Sequence, residues 1–203
     1  ILWEHHTCTV PLPGKFNISN ALAALTLAKT LTLPIQDAVH GIEQLSIIRG
    51  RVEKVEAGQD FTVIVDYAHT DDSLRKLYEA FPTSRKIAVL GSTGGGRDTW
   101  KRPVLGKIAD ECCDEIIVTN EDPYDEDPMK IIQEVASGVT HHTPHIVLDR
   151  REAIAQALSF ARTGDTVLIS GKGTDPYIMG PHGTKIPWDD ATVAREELEK
   201  LVA

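Results

Sequence analysis

The sequence is short of aromatic residues, of cysteine and of long apolar runs, and each shortage excludes a class of protein. Aromatic residues make up 5% of the 203 residues and cysteines number three, which does not fit the disulfide framework of a small secreted protein. No apolar run approaches the roughly 18 residues that a membrane span requires, and no basic segment followed by an apolar core marks a signal peptide. We therefore expect a cytoplasmic protein without membrane insertion.

Positive charge is also scarce. Lys and Arg number 21 against 30 Asp and Glu, and the net charge of -9 speaks against a general nucleic-acid binder. Hydrophobic residues still make up 41% of the chain, which is enough to offset conformational entropy and exclude disorder. The adjacent Cys112 and Cys113 suit neither a metal site nor an unstrained disulfide, so we expect reduced thiols and no bound metal.

Residues 1–48 differ in pattern from the rest of the chain. Residues 2–10 predict a strand, and helical periodicity predicts helices over 18–31 and 35–45, with Pro34 between them. This is too little for an independent core. We therefore expect residues 1–48 to be the end of a larger upstream domain, and residues 49–203 to form a domain of their own.

From residue 51 onward, predicted strands alternate with predicted helices. Apolar, β-branched segments predict strands over 61–66, 86–91, 115–119, 145–148 and 166–170, with an edge strand within 52–59. Helical periodicity predicts helices over 72–81, 102–112, 128–138, 151–162 and 192–202. Strands that are apolar on both faces predict a Rossmann-like α/β fold, with a mostly parallel sheet and helices on both sides.

Four polar or glycine-rich turns follow these predicted strands. They span residues 66–70, 91–98, 119–124 and 171–175. The carboxyl ends of parallel strands share one edge of the sheet, and ligands of such folds bind beyond that edge. We therefore expect the four turns to form one site.

The turn at 91–98 has the features of an anion clamp. Its glycine run allows close approach of the backbone to a ligand, and the cations Arg97, Lys101 and Arg102 flank the start of a helix, where an anionic partner would explain them. The alternative is a flexible surface turn with solvated charges. Neither this turn nor the Gly171–Gly173 segment has the spacing of a phosphate-cleaving loop.

Other turns carry acids and a histidine. Asp66 ends a buried strand, where a carboxylate commonly binds a ribose hydroxyl, and His69 can reach a phosphate. The alternatives are a helix cap at Asp66, for which Thr70, Asp71 and Asp72 are better placed, and a purely structural histidine. Asp122 lies in the acidic run after residue 120 and has two interpretations. It either faces an ammonium group, as Asp175 could from another turn, or belongs to a solvent-exposed segment that leads into a helix.

Taken in order, the turns resemble those of the Mur ligases of peptidoglycan synthesis, and most nearly the members that add a diamino acid to UDP-N-acetylmuramoyl-dipeptide (the MurE type). The resemblance covers nearly the whole chain and rests on four segments. Residues 13–20 resemble P-G-x-F-N-x-x-N, 50–53 resemble G-R-x-E, 65–70 resemble V-D-Y-A-H-T, and 94–103 resemble G-G-x-R-D-x-x-K-R-P.

The resemblance implies a three-domain, ATP-dependent ligase that acts through an acyl phosphate, whose partners are UDP-muramyl dipeptide and a diamino acid. ATP and Mg²⁺ would be held mainly by a central domain that this sequence lacks, so the fragment alone should be inactive. It implies a monomer with no catalytic residue in the fragment beyond a possible role for His69 near phosphate. The implied nucleotide contacts are Asn17, Asn20, Arg51, Asp66 and His69. The implied amino-acid contacts are Arg97, Asp122, Tyr124, Gly171 and Asp175.

Two departures from the family pattern bear on the substrate. Members that use meso-diaminopimelate have D-N-P-R, whose Asn and Arg grip the distal carboxylate, where this sequence has Glu121–Tyr124. Tyr124 cannot form the paired hydrogen bonds of an Arg, and Asp122 would repel a carboxylate. The family's G-K-G-H-E becomes Gly171–Asp175, which keeps an acid. An acidic pocket without that Arg favours L-lysine, or a similar basic diamino acid, over meso-diaminopimelate.

Two other functions stay open. The chain resembles, more distantly, related ligases of the cyanophycin or folylpolyglutamate synthetase type. It also suits a non-catalytic Mur-like nucleotide-binding or partner domain. The turns at 65–70 and 94–103 together favour the diamino-acid ligase.

Overall fold

The computed structural model describes residues 2–3 and 6–202. The chain divides into two compact units, with the boundary in the sequence between Ile48 and Arg49. The interpretation of the first unit as the end of a larger domain stays a prediction. In the part of the chain that the structure describes, no helix is both long enough and apolar enough to cross a bilayer.

The first unit contains a short hairpin and two helices. They are β1 (Leu2–Trp3), β2 (His6–Thr7), α1 (Lys15–Thr30) and α2 (Ile35–Glu43), with β1 and β2 antiparallel. The prediction of one strand over 2–10 is wrong in extent, since two short strands form there and residues 4 and 5 lie outside the described residues. Both helices are confirmed, and Pro34 separates them because proline cannot continue a helix.

The second unit is built on a six-stranded sheet. Its strands are β3 (Glu53–Lys54), β4 (Thr62–Asp66), β5 (Lys86–Leu90), β6 (Glu115–Thr119), β7 (His145–Val147) and β8 (Thr166–Ser170). They lie in the order β3-β4-β8-β5-β6-β7, and all pairs are parallel except β3 with β4. This confirms the predicted α/β fold and its antiparallel edge strand.

Both faces of the sheet are covered. Every residue of β8 is buried, and successive side chains of a strand point to opposite faces, so neither face of this central strand meets solvent. The covering helices are α3 (Asp71–Glu79), α4 (Lys101–Cys112), α5 (Pro128–Ala136), α6 (Arg150–Phe160) and α7 (Asp190–Val202). Neighbouring helices pack as α3 on α4, α4 on α5 and α6 on α7.

A second hairpin was not predicted. Strands β9 (Tyr177–Met179) and β10 (Lys185–Pro187) pair antiparallel outside the main sheet. Each strand has three residues, and β10 is exposed throughout and ends in Pro187, so no apolar strand pattern marks it in the sequence. The hairpin contacts the turn after β6, as described below, and so contributes to the site.

Helices α4 and α5 approach closely because glycines lie where they meet. A Cβ atom on Gly106 of α4 would overlap the carbonyl oxygen of Val135, and one on Gly138 would overlap that of Pro103. Backbone cannot move aside as a flexible side chain can. The contact therefore requires glycine at both positions.

We expect Gly106→Ala to lower the free energy of unfolding by about 1–3 kcal/mol, because the added methyl group forces the two helices apart. The measurement is urea denaturation of the chain. The matched control is Gly41→Ala in α2, where a Cβ atom meets nothing within 4 Å. That variant should gain about 0.5–1 kcal/mol from the better helix propensity of alanine. Equal effects of the two substitutions would contradict the packing argument.

Candidate functional site

One pocket of about 300 Å³ collects residues from all four turns at the carboxyl edge of the sheet. Its lining residues are Tyr67, His69, Thr93, Arg97, Asp98, Lys101, Glu121, Asp122, Tyr124, Gly171 and Asp175. The predicted convergence of the four turns is therefore confirmed. His69 and all five predicted amino-acid contacts line this pocket. The predicted nucleotide contacts Arg51 and Asp66 do not.

Asp66 ties the end of β4 to the turn that leads into β3. Its Oδ2 accepts a hydrogen bond from the Val52 N–H and its Oδ1 accepts one from the Ala68 N–H, both at 2.7 Å. Burial raises the pKa of this carboxyl, although both N–H groups oppose the shift. The cap of α3 is Thr70, which exchanges hydrogen bonds with Ser73. Asp66 is thus not a helix cap, and each oxygen keeps a lone pair for a further donor.

Arg51, Tyr67 and His69 form a stack beside the pocket. The Arg51 guanidinium lies 4.6 Å from the centroid of the Tyr67 ring, and the rings of Tyr67 and His69 meet edge to face at 4.8 Å. His69 Nδ1 lies 2.8 Å from the Tyr67 carbonyl oxygen. Because a carbonyl only accepts, Nδ1 carries a proton and donates to it.

Gly50 and Gly173 allow the backbone around Tyr67 to pack closely against the turn at residues 171–175. A Cβ atom on Gly50 would lie 2.7 Å from the Thr174 nitrogen, and one on Gly173 would lie 2.8 Å from the Tyr67 Cβ. Both glycines have positive φ, at 64° and 52°. Larger residues would therefore push these turns apart.

Arg97 is exposed and free to bind an anion. Its guanidinium lies 5.4 Å from the centroid of the Tyr124 ring. Among residues 6–202, the Arg97 and Lys101 side chains have no hydrogen bond or ion pair with the protein. The positive φ of Gly95 and Gly96, 76° and 71°, shapes the preceding loop. The geometry therefore fits the anion clamp expected from the sequence, as far as Arg97 and Lys101 are concerned.

The expectation of an external anion is wrong for Arg102. This side chain is 1% exposed and is paired within the protein. It donates to Glu134 Oε2 at 2.6 Å and to Glu126 Oε2 at 3.0 Å. Glu126 also accepts the Gly96 N–H, which together with Arg102 lowers the pKa of that carboxyl. Arg102 thus anchors the glycine loop instead of binding a ligand.

Asp122 faces an ammonium group that belongs to the chain itself, and its expected contact with the ammonium of a ligand stays a prediction. The Nζ of Lys172 lies 2.8 Å from both Asp122 carboxylate oxygens. Asp122 also accepts the Met179 N–H at 2.8 Å, and the Tyr124 N–H donates to the Met179 carbonyl at 3.0 Å. The β9–β10 hairpin and the turn after β6 are therefore joined. Asp175 lies farther from Lys172, at 3.7 Å, and its side chain is 41% exposed.

Glu121 is a pocket residue that the sequence interpretation passed over in favour of Asp122. It is buried, and its Oε1 accepts a hydrogen bond from Thr93 Oγ1 at 2.9 Å. Burial raises the pKa of this carboxyl. Gly171, with φ of 107°, lies against it, and a Cβ atom there would overlap the Glu121 carboxylate. The signal in the sequence was its position as the first acid after a buried strand.

Arg150 holds the last two turns in place and was also missed. Its side chain is fully buried with that of Asp190, to which it donates through Nε at 2.8 Å and Nη2 at 2.7 Å. Nη2 also donates to the Ser170 carbonyl at 2.8 Å, and Nη1 to the Asn120 carbonyl at 3.3 Å. Ser170 and Asn120 directly precede the pocket residues Gly171 and Glu121.

Asn17 and Asn20 lie in the first unit, one turn apart on α1. Asn17 is buried and its Nδ2 donates to the Pro13 carbonyl at 2.7 Å, while Asn20 Nδ2 donates to Asn17 Oδ1 at 3.1 Å. This links the two side chains in a fixed orientation. Their expected contact with a nucleotide stays a prediction.

Comparison with known families finds a match over residues 50–173, more than half of the chain, to the model described as Mur ligase, glutamate ligase domain. The matched stretch contains the first three turns of the pocket and the start of the fourth. It begins at Gly50 and ends at Gly173, the two glycines that interlock around Tyr67.

Individual relatives extend the likeness to nearly the whole chain. The UDP-N-acetylmuramyl-tripeptide synthetase of Roseiflexus sp. (strain RS-1) is 43% identical over 98% of the chain and 40% of its own length. The UDP-N-acetylmuramoyl-L-alanyl-D-glutamate–2,6-diaminopimelate ligase of Bacillus licheniformis is 41% identical over 95% of the chain and 40% of its own length. A solved structure of a ligase of the latter name superposes with a TM-score of 0.73 at 31% identity, over 97% of this chain and 41% of that one. The chain thus spans about 40% of these relatives.

Proposed function

The chain belongs to the Mur ligase family, and we propose on this basis that it is the C-terminal part of an ATP-dependent ligase that adds a diamino acid to UDP-N-acetylmuramoyl-L-alanyl-D-glutamate. In such a reaction ATP phosphorylates the peptide carboxylate, and the amine of the incoming amino acid displaces phosphate to form an amide. The full-length protein would be required for turnover. This chain would supply the pocket for the amino acid and part of the nucleotide site.

The pocket at the carboxyl edge carries this proposal. An amino acid presents a carboxylate and an ammonium group, and the pocket offers the free guanidinium of Arg97 together with the acids Glu121 and Asp175. Arg97 would hold the α-carboxylate, since a guanidinium binds a carboxylate through two parallel hydrogen bonds. Asp122 and Gly171 would shape the wall of the pocket. A volume of about 300 Å³ suits a ligand of this size.

The nucleotide side of the site would use the stack beside the pocket. Arg51 has no carboxylate partner within residues 6–202, which fits an anionic phosphate, and Asp66 can still accept a ribose hydroxyl. His69 Nε2 would lie near the phosphate. Asn17 and Asn20 would contact the adenine. In the described residues no three His, Cys, Asp or Glu side chains are placed to hold a metal ion.

We propose L-lysine, or a similar basic diamino acid, as the amino acid added. Several relatives are named as diaminopimelate ligases, but the resemblance implies that members using this substrate grip its distal carboxylate with an asparagine and an arginine, where this chain has Asp122 and Tyr124. A phenol cannot form the paired hydrogen bonds of a guanidinium. Tyr124 packs under Arg97 instead.

The test is phosphate release by the full-length protein with ATP, UDP-N-acetylmuramoyl-L-alanyl-D-glutamate and one amino acid at a time. We expect the highest kcat/KM with L-lysine or L-ornithine, and a value at least tenfold lower with meso-diaminopimelate, because its second carboxylate lacks a partner. A preference for meso-diaminopimelate would overturn the choice of amino acid. Absence of phosphate release with every amino acid would overturn the ligase itself.

A further inference from the structure

The position of Arg51 depends on the backbone on either side of it. Gly50 and Val52 both have positive φ, at 64° and 46°. Glycine takes this conformation freely, whereas a β-branched residue such as Val52 is strained in it. Contacts from outside the turn must therefore hold residues 50–52 in place.

Two buried carboxylates accept the N–H groups that flank Arg51. Asp66 Oδ2 accepts the Val52 N–H and Glu53 Oε2 accepts the Gly50 N–H, both at 2.7 Å. The Glu53 side chain is 4% exposed and does not line the pocket. A hydrogen bond to a carboxylate is stronger than one to a neutral acceptor. Each of the two residues with positive φ is thus tied to a buried acid.

Glu53 is itself held in a fixed orientation. Its backbone pairs with Val65 where β3 meets β4, and its carboxylate binds the Arg49 guanidinium. Arg49 Nε lies 3.0 Å from Glu53 Oε1, and Arg49 Nη2 lies 2.6 Å from Asp189 Oδ2. The Glu53 carboxylate therefore accepts from both Arg49 and Gly50, and it cannot turn away from one of them without breaking a hydrogen bond.

The turn that Glu53 holds sets the direction of the Arg51 side chain. The guanidinium lies over the Tyr67 ring, and its Nη1 donates to the Gly50 carbonyl oxygen at 3.3 Å. The same carbonyl oxygen accepts the Tyr67 N–H at 3.0 Å. The guanidinium, the ring beneath it and the residue that Glu53 holds are therefore connected. A cation that is oriented in advance binds an anion with a smaller loss of conformational entropy.

We infer that Glu53 is a positioning residue for nucleotide binding, which fixes through the Gly50 N–H the turn that presents Arg51 to the phosphates. This rests on the proposed function, in which Arg51 contacts the nucleotide, and it adds a residue that does not touch the substrate. Loss of Glu53 should weaken the binding of ATP and leave the binding of the amino acid unchanged.

The experiment measures kcat and the separate KM values for ATP and for the amino acid in the full-length ligase, with L-lysine or meso-diaminopimelate, whichever it uses better. We expect Glu53→Gln to raise the KM for ATP at least fivefold, because an amide has a single acceptor oxygen and its NH2 group would face a donor. The KM for the amino acid should stay within twofold of the wild type. A general loss of stability would not separate the two KM values in this way.

A double-mutant cycle shows whether Glu53 acts through Arg51. Arg51→Ala alone should raise the KM for ATP at least as much as Glu53→Gln does. Adding Glu53→Gln to Arg51→Ala should change this KM by less than twofold, because the side chain that Glu53 positions is gone. The matched control is Glu56→Gln, which removes an exposed acid of the same segment that pairs with Lys54 and should leave the KM for ATP unchanged.

Circular dichroism shows whether Glu53→Gln folds. If it does not, Glu53→Asp decides the question, because it keeps a carboxylate in the buried position but is one methylene shorter and cannot reach both donors. We expect the same selective rise in the KM for ATP from this variant.

An active ligase whose KM for ATP is unchanged in Glu53→Gln, or in Glu53→Asp where that variant decides, overturns the inference and leaves the proposed function intact. Equal rises in both KM values also overturn it, since they would indicate a purely structural role. A rise that persists in full in the Arg51→Ala background does so as well, because Glu53 would then not act through Arg51. A protein that releases no phosphate with either amino acid overturns both the inference and the proposed function.

Discussion

Replacing Arg97 by alanine in the proposed full-length ligase is expected to raise the apparent KM for the amino acid by roughly 30- to 1,000-fold, which corresponds to about 2–4 kcal/mol. The reason is the loss of the two charge-assisted hydrogen bonds proposed to hold the α-carboxylate, for which no other pocket guanidinium can substitute among residues 6–202. Steady-state kinetics with saturating ATP and peptide measure it.

Two further variants separate charge from geometry at this position. Arg97→Lys keeps the charge but not the planar fork of donors, so its KM should lie between those of the wild type and Arg97→Ala. Arg195→Ala removes an exposed arginine from α7, away from the pocket residues, and should leave KM unchanged. An Arg97→Ala enzyme with a wild-type KM would remove Arg97 from its proposed role.

Replacing Arg150 by methionine is expected to lower the free energy of unfolding by about 3–5 kcal/mol. The substitution leaves the Asp190 carboxylate buried without its counter-ion, and an uncompensated buried charge is costly. The carbonyls of Ser170 and Asn120 lose a donor as well. Urea denaturation of the chain provides the measurement.

The adjacent residue provides the control for this prediction. Arg151 pairs with Glu196 and Glu197 at distances similar to those of the buried pair, but its side chain is 40% exposed. Arg151→Met should therefore cost no more than about 1 kcal/mol, because solvent screens exposed pairs. The double substitution Arg150→Met with Asp190→Leu should recover part of the loss. Equal losses in Arg150→Met and Arg151→Met would contradict the argument from burial.

The core of the fold was predictable because strand and helix patterns alternate regularly along the sequence. The strands β6 and β8 have the predicted bounds, and the helices of the second unit differ from the prediction by at most two residues at either end. Those differences have local causes. Helix α6 begins at Arg150 because Asp149 accepts the Glu152 N–H as its cap. The hairpin of β9 and β10 was missed because β10 is exposed throughout and contains Pro187, so it carries no apolar strand pattern.

The position of the site was predictable from the sequence, but the ion pairs between its charged side chains were less so. Topology placed four turns at one edge, and the pocket lies there. Partners of charged groups come from distant parts of the chain, and sequence spacing does not reveal them. Lys172 is 50 residues from Asp122, and Asp190 is 40 residues from Arg150. The same limit explains the wrong interpretation of Arg102, whose partners lie on α5 and in the segment before it.

The order of strands in the sheet has a consequence for biosynthesis. Strand β8 is the last parallel strand in the chain, yet it lies between β4 and β5, which are consecutive parallel strands. On the ribosome, β4 and β5 emerge long before the strand that joins them. Strands β4 and β5 can therefore join one sheet only after residue 170 has left the exit tunnel, and until then their unpaired backbone edges are open to wrong pairing. A chaperone that binds the nascent chain would have its longest period of access between the emergence of β5 and the emergence of β8.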